Sequence, residues 1–188
     1  MKRVIIVHGW AGNPKQAWFP WIEKELKTKG FEVIIPKMPN TLAPKIDEWV
    51  EHLSKTVGKL DKDTFFIARS IGCQTIMRYL EKTKEKAGGC VFVGPWFTLT
   101  GIDDEEDYAI AKPWLEIPID FKKVKETCKQ FTCIFSDDDP FVPIENEKLF
   151  KKNLGAKTIM MTGYGHFGDK ERITKFPIAL EEFLKLTS

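Results

Sequence analysis

Ser70 stands where an apolar run, Phe65-Phe66-Ile67-Ala68, gives way to Arg69-Ser70-Ile71-Gly72-Cys73 and then to an amphipathic segment. A strand that turns sharply into a helix lifts its turn residue above the sheet, side chain outward. A serine there is presented as a nucleophile. The helix N-terminus behind it favours developing negative charge. Glycine usually occupies the positions two before and two after such a serine; here they are Ala68 and Gly72. Ala68 is a mild departure, small enough for close packing. Taken alone, the segment also fits a serine that merely caps a helix.

A serine hydroxyl needs a base at neutral pH. The chain has three histidines. His52 falls on the polar face of an expected helix and reads as solvated. His8 ends the first apolar run and reads as a support for the loop after it. His166 lies in Thr162-Gly163-Tyr164-Gly165-His166-Phe167, a glycine-rich loop after the last expected strand. It is the candidate general base and acid. An imidazole in that role needs a carboxylate to fix its tautomer. Asp137, Asp138 and Asp139 compete in the segment after residues 130–135. Asp139 is preferred because Pro140 biases it to an extended conformation. Asp138 is second, and Asp137 suits a turn. The order Ser70, Asp139, His166 is the chain order of α/β-hydrolases. The backbone N–H groups of Ile71 and of Trp10, in the loop His8-Gly9-Trp10, are the candidate oxyanion donors. Arg69, Trp96, Phe97 and Trp114 are candidate substrate-pocket residues; ordinary core packing explains each aromatic equally well.

These residues need a scaffold that brings strand ends together. Apolar runs at residues 4–7, 31–36, 64–68, 90–93, 130–135 and 157–161 read as six strands. Amphipathic segments at 18–29, 47–60, 71–84, 145–153 and 178–186 read as helices between and after them. Such alternation predicts βαβ units, a mostly parallel sheet with helices on both faces, and ligands beyond the strands' carboxyl ends. The expected organisation is one α/β domain over residues 1–188. Residues 97–120 carry an acidic cluster (Asp103, Asp104, Glu105, Glu106, Asp107) among aromatics and fit the sheet pattern least. They read either as a small cap or lid over the active edge or as a solvated loop.

Composition removes several function classes. The 29 basic and 27 acidic residues leave a net charge of +2, which gives no electrostatic case for nucleic acid or a membrane surface. No apolar run approaches the ~20 residues that span a bilayer. Only four apolar residues precede His8, too few for a secretory signal, so the start reads as the first strand. Cys73, Cys90, Cys128 and Cys133 form no metal-ligand spacing and read as buried thiols in a reducing, cytoplasmic setting. No metal or organic cofactor is expected. The expected state is a monomer or weak homodimer.

At these residues the chain resembles the small serine hydrolases of the YdeN and retinoblastoma-binding-protein-9 type, the YdeN-like branch more closely. The resemblance rests on His8-Gly9-Trp10-Ala11-Gly12, Trp18-Phe19-Pro20-Trp21, Lys37-Met38-Pro39-Asn40, Ser70-Ile71-Gly72-Cys73, Asp138-Asp139-Pro140-Phe141-Val142-Pro143 and Gly165-His166-Phe167. It implies a compact α/β-hydrolase lacking the first strands of larger relatives. It implies a Ser-Asp-His triad at Ser70, Asp139 and His166, and activity mostly on short esters. Position 69 is usually histidine in that family; here it is arginine. Its charge would meet the 103–107 cluster, Asp138 or a substrate carboxylate, or would weaken catalysis. The function expected is thus carboxylesterase-like hydrolysis of a small-molecule ester. The alternatives are amidase or peptidase chemistry on the same residues, and a non-catalytic or weakly active interaction protein.

Overall fold

The computed structural model describes residues 1–187. Six strands, β1 (Arg3–Val7), β2 (Glu32–Ile34), β3 (Thr64–Arg69), β4 (Gly89–Val93), β5 (Phe131–Ser136) and β6 (Lys157–Met161), form one sheet in the order β2-β1-β3-β4-β5-β6. All neighbouring pairs are parallel. The central strands are largely apolar because both faces are covered. Ile5, Val7, Phe66, Ala68, Cys90 and Phe92 enter one core; Val4, Ile6, Phe65, Ile67, Val91 and Val93 enter the other. This is the alternation of a pleated strand buried on both sides.

Helices α1 (Phe19–Thr28), α2 (Ile46–Val57) and α3 (Ile71–Leu80) follow the first three strands, and α4 (Glu105–Glu116) and α5 (Phe121–Thr127) separate β4 from β5. Helix α6 (Glu145–Leu154) precedes β6 and α7 (Pro177–Leu186) closes the described chain. The second core is roofed by α1 and α7, through Phe19, Ile22, Leu26, Ala179 and Phe183. The first is roofed by α2, α3, α5 and α6, through Trp49, Leu53, Ile76, Val124 and Phe150. No helix among the described residues is long and apolar enough to cross a membrane.

The expected elements are present with shifted ends. Gly58, at φ 60°, ends α2 before residue 60. Strand β2 is shorter than residues 31–36 because it lies at the sheet edge, with one pairing partner. Helix α3 stops at Leu80 rather than running to 84, and its end turns back through a Lys82 N–H to Tyr79 carbonyl bond (3.1 Å). Helix α5 has no counterpart in the sequence reading. Only Val124 and Thr127 are buried in Phe-Lys-Lys-Val-Lys-Glu-Thr, so no periodic stripe announces it. Its signal is the cap, where the Asp120 carboxylate accepts from the Lys122 and Lys123 N–H groups (both 3.1 Å).

The 97–120 segment folds around α4. The helix is capped by Asp104, which accepts from Glu106 and Asp107 N–H (2.9 and 3.1 Å), and its acidic first turn suits the helix dipole. Its other end is fastened below. The buried Arg78 of α3 donates through Nη2 to the carbonyls of Trp114 (3.1 Å) and Ile117 (2.7 Å). The Trp114 indole N–H donates to the Pro44 carbonyl (3.0 Å).

Close approach between β1 and α3 sets where the sheet's active edge lies. A Cβ on Gly72 would stand 2.6 Å from the Val7 carbonyl oxygen and 2.7 Å from that of His8, both backbone atoms. Gly72→Ala should therefore lower stability by about 1–3 kcal/mol despite alanine's better helix propensity. Urea unfolding measures it; an unchanged or raised midpoint would mean that the contact imposes nothing.

Candidate active site

The sheet changes direction between β1 and β3: β2 lies outside β1, and β4 to β6 lie outside β3. In parallel sheets this switch point opens a crevice at the carboxyl ends. Ser70 occupies it, between β3 and α3, with φ 56° and ψ −126°. Such angles are costly for a residue with a Cβ and persist only where the surroundings impose them. The Ser70 N–H bonds to the Val93 carbonyl (2.9 Å), and its carbonyl accepts from Cys73 N–H (2.9 Å).

Ser70 Oγ lies 2.9 Å from His166 Nε2, and His166 Nδ1 lies 2.7 Å from Asp139 Oδ2. The carboxylate requires the proton on Nδ1, which leaves Nε2 to accept from the serine hydroxyl. Asp139 is nearly inaccessible, with 1% of its side chain exposed. Its second oxygen accepts from the Phe141 and Val142 N–H groups (2.9 and 3.1 Å). That fixes the carboxylate plane.

The three adjacent aspartates have separate partners. Asp137 accepts from Gly163 N–H (3.1 Å) and Asp138 from Gly165 N–H (2.8 Å) and the Ser136 hydroxyl (2.6 Å). The Ser136 hydroxyl oxygen accepts from Tyr164 N–H (3.0 Å). The last residue of β5 and the three that follow it thus hold four successive residues of the loop after β6. The Ser136 and Gly165 bonds keep Asp138 below the usual carboxylate range. Gly165 has φ 48°, and a Cβ there would lie 2.7 Å from the Glu171 side chain.

His8 is fully buried. Its Nε2 accepts from Met38 N–H (3.1 Å), which puts the proton on Nδ1, facing the Gly9 carbonyl (2.9 Å). Burial pushes its pKa down, the Gly9 carbonyl opposes this, and the Arg69 charge pushes it further down. It is a neutral support for the Gly9-Trp10 loop. A Cβ on Gly9 would lie 3.3 Å from the Ser70 Cβ, so that loop runs against the nucleophile turn. The Trp10 indole is spent on the Leu42 carbonyl (3.0 Å). The amide N–H groups of Trp10 and Ile71 have no acceptor among the described residues.

Arg69 meets neither the 103–107 cluster nor Asp138. Its Nε donates to the His166 carbonyl (2.8 Å). A Cβ on Gly168 would come within 2.6 Å of its Nη2. Burial lowers its pKa, opposed chiefly by Glu171 and then by Asp139. Glu171 in turn accepts from Gly168 N–H (2.7 Å). The sequence reading missed Glu171 because its proximity to Arg69, far earlier in the chain, exists only in the fold.

The three aromatic pocket candidates separate. Trp96 reaches the nucleophile: its indole Nε1 lies 3.4 Å from Ser70 Oγ. Phe97 stacks on Phe150 (4.0 Å between centroids, 13°), and Trp114 packs edge-on against Trp49 (6.1 Å) and under the Arg78 guanidinium (5.9 Å). Both have packing partners rather than contacts with Ser70 or His166. Asn146, also unforeseen, is fully buried and accepts from Phe97 and Thr98 N–H (2.7 and 3.1 Å), which pins the start of the 97–120 segment to α6. All four cysteines are buried and unpaired, and no group of side chains among the described residues could hold a metal ion. A cavity of about 790 Å³ between α2 and α3 includes none of Ser70, Asp139 and His166.

Comparison with known proteins places this geometry. The chain is 30% identical over 186 residues to the YdeN protein of Bacillus subtilis (strain 168), covering 96% of this chain and 93% of that one. It is 27% identical over 172 residues to the serine hydrolase RBBP9 of Rattus norvegicus, covering 90% and 89%. The crystal structure of the B. subtilis ydeN gene product superposes with a TM-score of 0.91 at 28% identity, covering 100% of this chain and 99% of that one. Est1E from Butyrivibrio proteoclasticus shares the fold, with a TM-score of 0.74 at 16% identity over 99% of this chain and 88% of its own. A family model described as serine hydrolase matches residues 4–185, from β1 into α7, and the chain belongs to that family.

Proposed function

We propose that this serine hydrolase is carboxylesterase-like and cleaves small ester substrates through an acyl-enzyme on Ser70. The observation that carries the reading is the unbroken line from Asp139 through His166 to Ser70 Oγ, at 2.7 and 2.9 Å. Ser70 Oγ attacks the ester carbonyl as its proton moves to His166 Nε2. Asp139 holds the Nδ1–H tautomer and offsets the imidazolium charge. The oxyanion is taken by the Trp10 and Ile71 amides, both without an internal acceptor. His166 then protonates the leaving oxygen as the ester C–O bond breaks. Water, activated by His166, releases the acid and restores Ser70. Every part of this sequence is supplied by side chains and amides.

A fluorophosphonate probe followed by peptide mapping tests the reading directly. The adduct should sit on Ser70 and be lost in His166→Ala. Ser70→Ala should lower kcat on p-nitrophenyl acetate by about a thousandfold or more with the fold intact by circular dichroism. Folded protein with no adduct and no turnover would remove the proposal and leave the interaction-protein alternative.

The two aspartates should differ sharply. Asp139→Asn reverses the tautomer that Nδ1 needs and should cost on the order of 10³–10⁴ in kcat. Asp138→Asn keeps an oxygen for Gly165 and Ser136 and should cost about tenfold at most. Steady-state kinetics on both variants decides; the opposite ranking would move the orienting role to Asp138.

A further inference from the structure

Trp96 is 2% exposed, and its indole N–H points at Ser70 Oγ from 3.4 Å. It cannot easily turn away. Its carbonyl accepts from Gln74 Nε2 (2.8 Å), and Gln74 lies on α3, the helix that begins beside Ser70. Nucleophile, helix, Gln74 and Trp96 form a closed ring of contacts. An indole N–H is a donor only. In the resting enzyme its acceptor is the Ser70 hydroxyl oxygen, whose own proton faces His166.

Acylation removes that acceptor. The Ser70 Oγ–carbon bond forms, the serine proton passes to His166 Nε2 and on to the leaving oxygen, and the substrate's C–O bond breaks. Oγ is then the bridging oxygen of an ester, with its lone pair drawn into the carbonyl, and accepts poorly. A buried donor left without a partner is costly. Sites built to hydrogen-bond a substrate group discriminate against isosteres that lack it. We infer that Trp96 selects acyl groups that carry an acceptor atom on the carbon next to the carbonyl, such as 2-hydroxyacyl, 2-alkoxyacyl or 2-oxoacyl groups, over alkyl chains of the same shape. The inference rests on the acyl-enzyme reading above and adds its substrate class.

Methoxyacetyl and butyryl groups differ by one oxygen in place of a methylene. The experiment compares kcat/KM for p-nitrophenyl methoxyacetate and p-nitrophenyl butyrate, each divided by its rate with hydroxide to remove intrinsic reactivity. The wild-type protein should favour the methoxyacetyl ester by about tenfold after that correction. Trp96→Phe keeps the ring and deletes the donor, and should bring the corrected ratio close to one. A wild-type ratio already equal to that of hydroxide overturns the inference while leaving the acyl-enzyme intact, and it does so whether or not the variant folds. A ratio that survives in Trp96→Phe also overturns it. If neither ester turns over and Ser70 takes no fluorophosphonate, the acyl-enzyme reading has failed first.

Discussion

The backbone of Ser70 is the constraint on which the rest depends. At φ 56° and ψ −126° it lies where a residue with a side chain costs about 1–3 kcal/mol. The protein holds it there from three sides. The Val93 carbonyl takes its N–H, Cys73 bonds its carbonyl, and Gly72 lets α3 lie against the end of β1. The sheet core beneath is fully buried on both faces, so relaxation of the turn would have to displace β3 or α3 as a whole. The result is a hydroxyl held on a rigid stalk, with Ser70 only 9% exposed.

The histidine is held by different means. Its loop has no regular structure, and its order comes from side chains on another strand's end. Ser136, Asp137, Asp138 and Asp139 bond Tyr164, Gly163, Gly165 and His166. Three of those contacts are to backbone N–H groups and fix position. The fourth is to the ring and fixes the tautomer. An acidic run that looks like redundancy in one dimension is therefore a division of labour. Asp138 and Asp137 place the loop so that Asp139 meets an imidazole already in register.

Much of this was legible in the sequence, for a physical reason. Strand segments buried on both faces are apolar, as residues 65–68 and 90–93 are. Glycines pressed against backbone cannot be exchanged, and Gly72 marks the turn as sharp. What stayed hidden were contacts between residues far apart in the chain with no shared pattern. Asn146 ties α6 to Phe97 and Thr98, and Arg78 ties α3 to the end of α4. Each is a polar side chain on a buried face, which periodicity alone reads as noise. Helix α5 was missed for the converse reason: it buries too little to leave a stripe. Trp96 and Trp114 show the limit most clearly. Both are buried tryptophans, yet one indole meets the nucleophile and the other a proline carbonyl.

Arg69 illustrates how one substitution changes the physics of a shared scaffold. The resemblance read from the sequence would put histidine at position 69, where this chain has arginine. A histidine there could gain or lose its charge near neutral pH. A guanidinium does not lose its proton at any pH at which the fold survives. The bond from Arg69 Nε to the His166 carbonyl therefore persists whichever protonation state the imidazole is in. The permanent charge also has a cost, since under the proposed mechanism it lies near a ring that becomes cationic. Glu171, Asp139 and Asp169 all act on Arg69 in the opposite sense. Asp169 and Glu171 follow His166 on the loop that Arg69 bonds, and Asp139 lies on the loop after β5. Asp169 and Glu171 thus offset the buried charge of the arginine that holds the His166 carbonyl.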